Sequence, residues 1–146
     1  YWRAAKQRGA TPKVLAKYGG SHIVRGLSQT AVYDLGTLLP EIAALEGNRS
    51  FSMLIVPGAG TSVAGLNPST WTYEPRPADG GYLAGLGPIM SAAHEDTFTL
   101  IDLAALRPVV GMSGKDVDKE LFRTVHGFDM LLIMSGSNPS GELQHD

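Results

Sequence analysis

The residues with the clearest chemical potential lie together between Lys17 and Arg25, in the segment KYGGSHIVR. His22 is a candidate general base or metal ligand, because imidazole exchanges protons near neutral pH. Arg25 is a candidate clamp for a carboxylate or phosphate, or a stabiliser of a developing oxyanion. Lys17 and Ser21 are candidate ligand-binding residues beside the glycine pair. A histidine bonded to backbone beside a solvated arginine is the structural alternative.

A second candidate is the glycine-containing turn PGAGTS at residues 57–62, which directly follows an apolar run. Gly58, Gly60 and Thr61 are candidate ligand-binding residues, because such a turn can bring backbone N–H groups close to a phosphate. The third glycine of the dinucleotide fingerprint is missing, since Val63 stands in its place. A tight turn leaving the sheet is therefore favoured over dinucleotide binding.

The last candidate is Trp71, in the Gly- and Pro-rich segment 57–82. We expect this segment to be long and irregular, and loops longer than about 12–15 residues are usually functional or disordered. Trp71 is a candidate ligand-binding residue that lines a pocket or forms a lid. The somewhat favoured alternative is that its ring fixes the loop to the body of the domain.

Apolar periodicity predicts the elements that must position these candidates. Strands are predicted at 14–18, where the strand is buried, and at 51–56, 97–101 and 130–134. Helices are predicted over 1–9, over the run 35–46 with Thr37 as N-cap and Gly47 at its end, over 87–93, and over 115–125 with Ser113 as N-cap and Gly127 at its end. This alternation predicts an α/β fold with a mostly parallel sheet of about four strands, covered by helices.

In such a sheet, ligands bind beyond the carboxyl ends of the strands. Those ends are predicted at 19–25, 57–61, Asp102 and 135–140, and most of these segments are polar and rich in Gly or Ser. We therefore expect the candidate residues to meet at one edge of the sheet.

Composition sets the outer limits of the interpretation. The 146 residues carry a net charge of −2, with 43% hydrophobic residues, which predicts one globular unit and gives no argument for nucleic acid. Charge is uneven, at +4 over residues 1–50 and −6 over the remainder. The chain has no cysteine, which excludes thiol chemistry within it, and no apolar run long enough for a membrane span. The compartment stays open between cytoplasm and periplasm.

Three segments together resemble a known family. PKVLAKYGGSHIVRG, a helix containing DLGTLL, and SFSMLIVPGAGT look like the second half of the erythromycin-esterase-like proteins, which belong with the TraB/Tiki and ChaN-like proteins. His22 takes the position of the histidine in that family's G-x-x-H turn. Asp129, in GFDMLLIMSGSNPS, takes the position of an aspartate before the last strand. The start without Met, inside a predicted helix, leads us to expect the C-terminal part of a larger domain.

The resemblance implies hydrolysis of an ester or related acyl bond by a water that His22 activates, with Arg25 holding an anionic group. The N-terminal half of the same protein would supply a further histidine and glutamates, and a small molecule would be the substrate. Gly19 stands where these esterases commonly have a second histidine, so a two-histidine site is not expected. The alternatives are a ligand-binding protein, with haem or a divalent metal implied by resemblance only, or a scaffold half.

Overall fold

The computed structural model describes residues 2–10, 13–78, 81–112 and 117–138. The α-helices are α1 (Trp2–Gln7), α2 (Gly20–Ile23), α3 (Leu35–Leu45), α4 (Gly87–Met90), α5 (Arg107–Met112) and α6 (Lys119–Gly127). The strands are β1 (Met53–Pro57), β2 (Ser62–Asn67), β3 (Thr72–Pro77), β4 (Phe98–Asp102) and β5 (Met130–Met134). Short 3-10 helices span Gly81–Leu86 and Ala104–Leu106. The fold is mixed α/β.

Among the described residues, the central sheet has three strands in the order β1-β5-β4. β1 and β5 are parallel, with Ile55 opposite Leu132, whereas β4 is antiparallel to β5, with Leu100 opposite Leu132. The prediction of about four mostly parallel strands is therefore wrong in number and in direction. The alternation of elements indicated the class correctly, but it does not fix the direction of β4.

The buried strand predicted at 14–18 does not form. Residues 13–19 have no regular secondary structure, and Leu15 is 98% exposed. An apolar run becomes a strand only when a neighbouring strand takes up its backbone hydrogen bonds, and no partner lies beside this run among the described residues. The outer edge of β1 is consequently open in the described part of the chain.

The prediction that residues 57–82 form a long irregular segment is also wrong, because β2 and β3 form an antiparallel hairpin within it. The prolines of this segment suggested a loop, yet Pro75 pairs with Ala64 and Pro77 with Ser62. A two-stranded ribbon is all edge, so a proline that lacks an N–H can face outward without leaving a ladder bond unmade.

Helix α3 begins earlier than predicted. Its N-cap is Asp34, whose Oδ1 accepts from the Leu35 N–H at 2.7 Å. Thr37 instead bonds Gly26, accepting from its N–H at 2.9 Å and donating to its carbonyl. Pro40 therefore lies inside the helix and not in its first turn. The predicted end is confirmed, since Gly47 follows the helix with φ +69°.

Helix α6 begins later than predicted, at Lys119, with Asp118 as its N-cap. The predicted N-cap, Ser113, lies outside the described residues. The predicted end at Gly127 is confirmed, and Val125 on this helix is buried. Gly127 also packs closely against Val24, the residue after α2, because a Cβ on Gly127 would overlap the side chain of Val24.

One face of the sheet forms the core. The buried side chains of its strands are Val56, Leu131 and Ile133, and they belong to one hydrophobic cluster with side chains from the helices and connections. These partners are Val24, Leu83, Leu86, Ile89, Leu103, Val125 and Phe128. Burial of such apolar surface is the main favourable contribution to folding, at about 25 cal/mol per Å².

Asp129, directly before β5, connects the elements at the amino end of the parallel pair. Its carboxylate accepts two hydrogen bonds from the Arg25 guanidinium, at 2.6 and 2.5 Å, and one from the Ser52 N–H at 2.8 Å. Arg107 adds a longer contact of 3.4 Å while donating to the carbonyls of Val125 and Phe128. Residues distant in sequence therefore meet at one half-buried carboxylate.

These donors favour the ionised form of Asp129. The hydrogen bonds from Arg25 lower the pKa of the carboxyl below its ordinary value of 3.8, and the Ser52 N–H and Arg107 lower it further. Partial burial acts in the opposite direction, but the donors prevail.

We expect Asp129→Asn to lower the free energy of unfolding by about 1–3 kcal/mol, because two guanidinium groups lose their charged partner in a half-buried position. Urea denaturation followed by circular dichroism measures the change. The matched control is Lys6→Gln, which removes the exposed ion pair with Glu46 and is expected to cost about 0.5 kcal/mol or less. Equal effects of the two variants would show that the Asp129 cluster has no special role.

We also expect the stability to fall on acidification through the pKa of Asp129. The folded carboxyl binds its proton less tightly than the unfolded one, so the unfolded state binds more protons and stability rises with pH across this range. The contribution is complete above the ordinary value of 3.8 and is lost as the pH falls through the lower folded value. The free energy of unfolding, taken from denaturation curves recorded between about pH 2 and pH 6, should therefore depend less steeply on pH for Asp129→Asn than for the wild type. Identical pH profiles would contradict the assignment.

Candidate functional site

His22 lies in the short helix α2 and is paired with a carboxylate. Its Nδ1 lies 2.5 Å from Oδ2 of Asp34, twelve residues further along the chain. The imidazole side chain is 61% exposed, whereas that of Asp34 is 28% exposed. The carboxylate therefore contacts the ring from the protein side, and the ring itself remains accessible to solvent.

The position of Asp34 follows from its second role as the N-cap of α3. One carboxylate oxygen accepts from the Leu35 N–H, and the other faces His22. Helix α3 is held against α2 because Gly36 packs directly on the backbone of Ile23 and Val24. The capping geometry and this close contact together fix the distance between the two side chains of the pair.

The pairing has an electrostatic signature on Asp34. The hydrogen bond with His22 lowers the pKa of the Asp34 carboxyl below its ordinary value of 3.8, and the Leu35 N–H lowers it further. The carboxylate is thus ionised at neutral pH. An ionised partner at Nδ1 favours the tautomer that carries its proton there and leaves Nε2 unprotonated, which is the form that a general base requires.

Arg25 has a different environment from the one expected. Its guanidinium donates to both oxygens of Asp129, and its backbone N–H donates to the Gly127 carbonyl. The side chain is about one quarter exposed. Arg25 therefore holds the loop that carries His22 against the start of β5, and its main charge partner is a carboxylate of the protein itself.

Lys17 and Ser21 lie on either side of the Gly19-Gly20 pair. Lys17 is exposed in the segment without regular secondary structure that precedes α2, and Ser21 is half-buried within α2. Both are neighbours of His22 in sequence. Their predicted part in ligand binding stays a prediction.

The glycine-containing turn at residues 57–62 lies at the opposite end of the strands, beyond their carboxyl ends, and is closed by internal hydrogen bonds. The Gly58 N–H donates to the Met134 carbonyl at 2.6 Å, and the buried Thr61 hydroxyl donates to the same carbonyl at 2.6 Å. The Gly136 N–H donates to the Ala59 carbonyl at 2.9 Å. These bonds fasten the turn after β1 to the turn after β5.

Two glycines in this turn meet specific demands of the backbone. A Cβ on Gly58 would lie 2.9 Å from Cγ2 of Ile133 and overlap the Ser135 hydroxyl, and Gly60 adopts φ +69°. Packing and conformation account for the glycines, as the structural alternative expects. Ligand binding by Gly58, Gly60 and Thr61 stays a prediction.

Trp71 lies in the turn between β2 and β3. It adopts φ +58°, its N–H donates to the Asn67 carbonyl, and its side chain is exposed. The ring does not fix the segment to the body of the domain. The hairpin is held through its own ladder and through bonds at its base, such as that from the Ala78 N–H to the Thr61 carbonyl.

The candidates do not meet at one edge as predicted. His22 and Arg25 lie at the amino end of β1 and β5, next to Ser52 and Asp129, whereas Gly58, Gly60 and Thr61 lie beyond the carboxyl end. Five residues of strand separate the two groups by about 15 Å. Asp102, at the end of the antiparallel β4, joins the amino-end group because it pairs with Met130.

Sequence reasoning missed Asp34 as the partner of His22. The available signal was an aspartate directly before an apolar helical run, which is a strong N-cap pattern. The pattern predicts the cap, but contact with His22 depends on the packing of α3 against α2. Asp129 was singled out by resemblance, and its pairing with Arg25 is a tertiary contact across 104 residues.

The described residues provide no group of three or more His, Asp or Glu side chains placed to hold a metal ion. His22 and Asp34 supply only two such groups, so a divalent metal does not fit the described part of this site without further ligands. Within the described ranges, no helix has the length and apolar character needed to cross a membrane.

Comparison of the chain with protein-family models, with curated proteins and with solved structures finds no match in any of the three.

Proposed function

We propose that the chain is part of a hydrolase of the erythromycin-esterase-like type, which cleaves an ester or related acyl bond with a water activated by His22. The observation that carries the proposal is the contact of 2.5 Å between His22 Nδ1 and the Asp34 carboxylate. A histidine oriented by a carboxylate, with its second nitrogen directed away from that partner, is the arrangement that general-base catalysis uses.

The reaction follows from the two nitrogens of the ring. Nε2 of His22 takes a proton from a water whose oxygen attacks the acyl carbon, and Asp34 stabilises the imidazolium that forms. The imidazolium then returns the proton to the leaving alkoxide as the acyl–oxygen bond breaks. A base in this position contributes about 10²- to 10⁴-fold to the rate.

Arg25 enters this proposal as a positioning residue. Its bonds to Asp129 and Gly127 hold the chain three residues after His22, so the loop keeps its place at the amino end of β5. Stabilisation of an oxyanion would come from groups outside this pair. The N-terminal half of the protein, proposed by resemblance, is the source we infer for them.

In the complete protein, which includes the proposed N-terminal half, we expect His22→Ala to lower kcat/KM on a panel of p-nitrophenyl esters by about 10²- to 10⁴-fold. Asp34→Asn should lower kcat more than it raises KM, because the amide no longer favours the productive tautomer. The matched control is His94→Ala, since His94 is also an exposed histidine but contacts Thr99 through its backbone only. Its turnover should equal that of the wild type.

Circular dichroism and thermal unfolding of each variant separate a loss of chemistry from a loss of folding. Unchanged turnover in a folded His22→Ala variant would overturn the proposal.

The second candidate function is ligand binding without turnover, and the exposure of the His22 ring favours it. The imidazole is 61% exposed, so its second nitrogen can contact a ligand, whereas Arg25 is paired with Asp129. The resemblance implies a haem-like ligand for this version. If the protein binds haem, we expect a haem titration to shift the Soret band and His22→Ala to reduce that shift. An unchanged Soret region would reject haem binding.

A further inference from the structure

Helix α3 carries its large apolar side chains on the side that faces solvent. The structure describes all eleven residues of this helix, and Gly36 alone among them is buried. The large apolar side chains of the helix are between 41% and 88% exposed, and they are Leu38, Leu39, Ile42 and Leu45. A helix on the surface of a domain normally turns polar residues outward. The outward face of α3 is therefore a candidate binding surface, because exposed apolar patches mark sites that contact another molecule.

Three of these side chains form a continuous apolar stripe along the helix. Leu38, Ile42 and Leu45 are four and three residues apart, which is the spacing that places side chains on one face of a helix. Gly36 precedes Leu38 by two residues, or about half a turn, so the packed face and the stripe lie on opposite sides of α3. With a rise of about 1.5 Å per residue, the stripe is about 10 Å long.

The apolar stripe begins one helical turn from the contact between His22 and Asp34. The Leu38 N–H donates to the Asp34 carbonyl at 3.1 Å, so Leu38 follows the N-cap by one turn. The Asp34 carboxylate contacts the His22 ring, which is 61% exposed. The far end of the stripe is polar, because Glu46, directly after α3, pairs with Lys6 of α1. The stripe therefore connects the proposed catalytic pair with a separate ion pair.

The charges along this face favour an uncharged ligand. Glu41 is the one charged residue of α3, and it lies beside the stripe, three residues after Leu38. An anionic head group would meet the carboxylates of Asp34 and Glu41, and Arg25, the cation three residues after His22, is bonded to Asp129. A ligand with a neutral polar head and an apolar chain fits both parts of the surface.

We infer that the apolar stripe binds the hydrocarbon chain of an uncharged ester whose ester group lies at His22. The inference rests on the proposed hydrolase activity for the ester group, but binding of the chain can be measured without turnover. A methylene that is covered from one side on an open surface gains about twofold in affinity, against about fourfold for complete burial. Affinity is therefore expected to rise steadily with the length of the chain.

Titration of the complete protein with 1-butanol and with 1-octanol, followed by NMR of the methyl groups, tests the inference. We expect octanol to bind about tenfold more tightly than butanol and to shift the methyl signals of Leu38, Ile42 and Leu45. Octanoate has a chain of the same length but an anionic head, and it should bind more weakly than octanol. Equal affinities of butanol and octanol would overturn the inference. Octanoate that binds as tightly as octanol would overturn the assignment of an uncharged ligand.

A matched pair of leucines provides the control. Leu38 is 50% exposed on the stripe, and Leu66 is 43% exposed on the hairpin that follows β1. Leu38→Gln should weaken the binding of octanol severalfold, and glutamine keeps a good helix former at this position. Leu66→Gln should leave octanol binding unchanged. Equal effects of the two substitutions would contradict binding at the stripe.

Failure of this inference and failure of the hydrolase proposal give different results. Octanol binding that persists in His22→Ala, in a protein that turns over no ester, would reject the hydrolase and support the stripe as the surface that binds the chain. Ester turnover with the same kcat/KM for p-nitrophenyl acetate and p-nitrophenyl octanoate would overturn the inference and leave the hydrolase standing. Methyl shifts of the stripe that grow with protein concentration in the absence of alcohol would also overturn it, because a second copy would then cover the stripe.

Discussion

The half-buried carboxylate of Asp129 is the interaction on which the arrangement of this domain depends. It joins the loop after α2 through Arg25, the start of β1 through the Ser52 N–H, and α5 through Arg107. A carboxylate removed from water is costly unless donors surround it, and here the donors come from three separate parts of the chain. The elements cannot separate at this point without leaving a charge unpaired.

This constraint also determines where the histidine lies. The Arg25 N–H bonds to the end of α6, and Ser52 Oγ donates to the Ile23 carbonyl, so the backbone around α2 is fixed from two sides. His22 lies on the solvent side of that backbone and receives its own carboxylate partner from the N-cap of α3. The two carboxylate contacts thus have different roles. The inner one fixes the loop, and the outer one orients an accessible imidazole.

The sequence is sufficient for the parts of the fold that depend on local chemistry. The runs at 51–56, 97–101 and 130–134 form strands, and Gly47 follows α3 because a left-handed residue there favours glycine. The features that the sequence does not determine are those that depend on which segments pair as strands. Val14–Tyr18 has the composition of a strand but lacks a neighbour in the described chain, and the proline-containing residues of β2 and β3 form strands because each supplies the other with a partner. The N-cap is Asp34 and not the predicted Thr37, although this feature is local, because an aspartate stands directly before the helical run.

The direction of β4 explains why the predicted site divides into two. The rule that ligands bind beyond the carboxyl ends of strands assumes that these ends share one edge, which requires parallel strands throughout. Because β4 is antiparallel, its carboxyl end at Asp102 lies with the amino ends of β1 and β5, beside Ser52 and Asp129. The opposite edge is fastened by main-chain bonds between the turns after β1 and β5, and the Thr61 hydroxyl is used in the same way. The carboxylates of Asp34 and Asp129 contact His22 and Arg25 at the amino end, whereas Asp96 lies at the other end, beside Gly136. The His22–Asp34 contact therefore lies at the end of the strands where the Asp129 cluster fixes the backbone, and the opposite turns are bonded to each other.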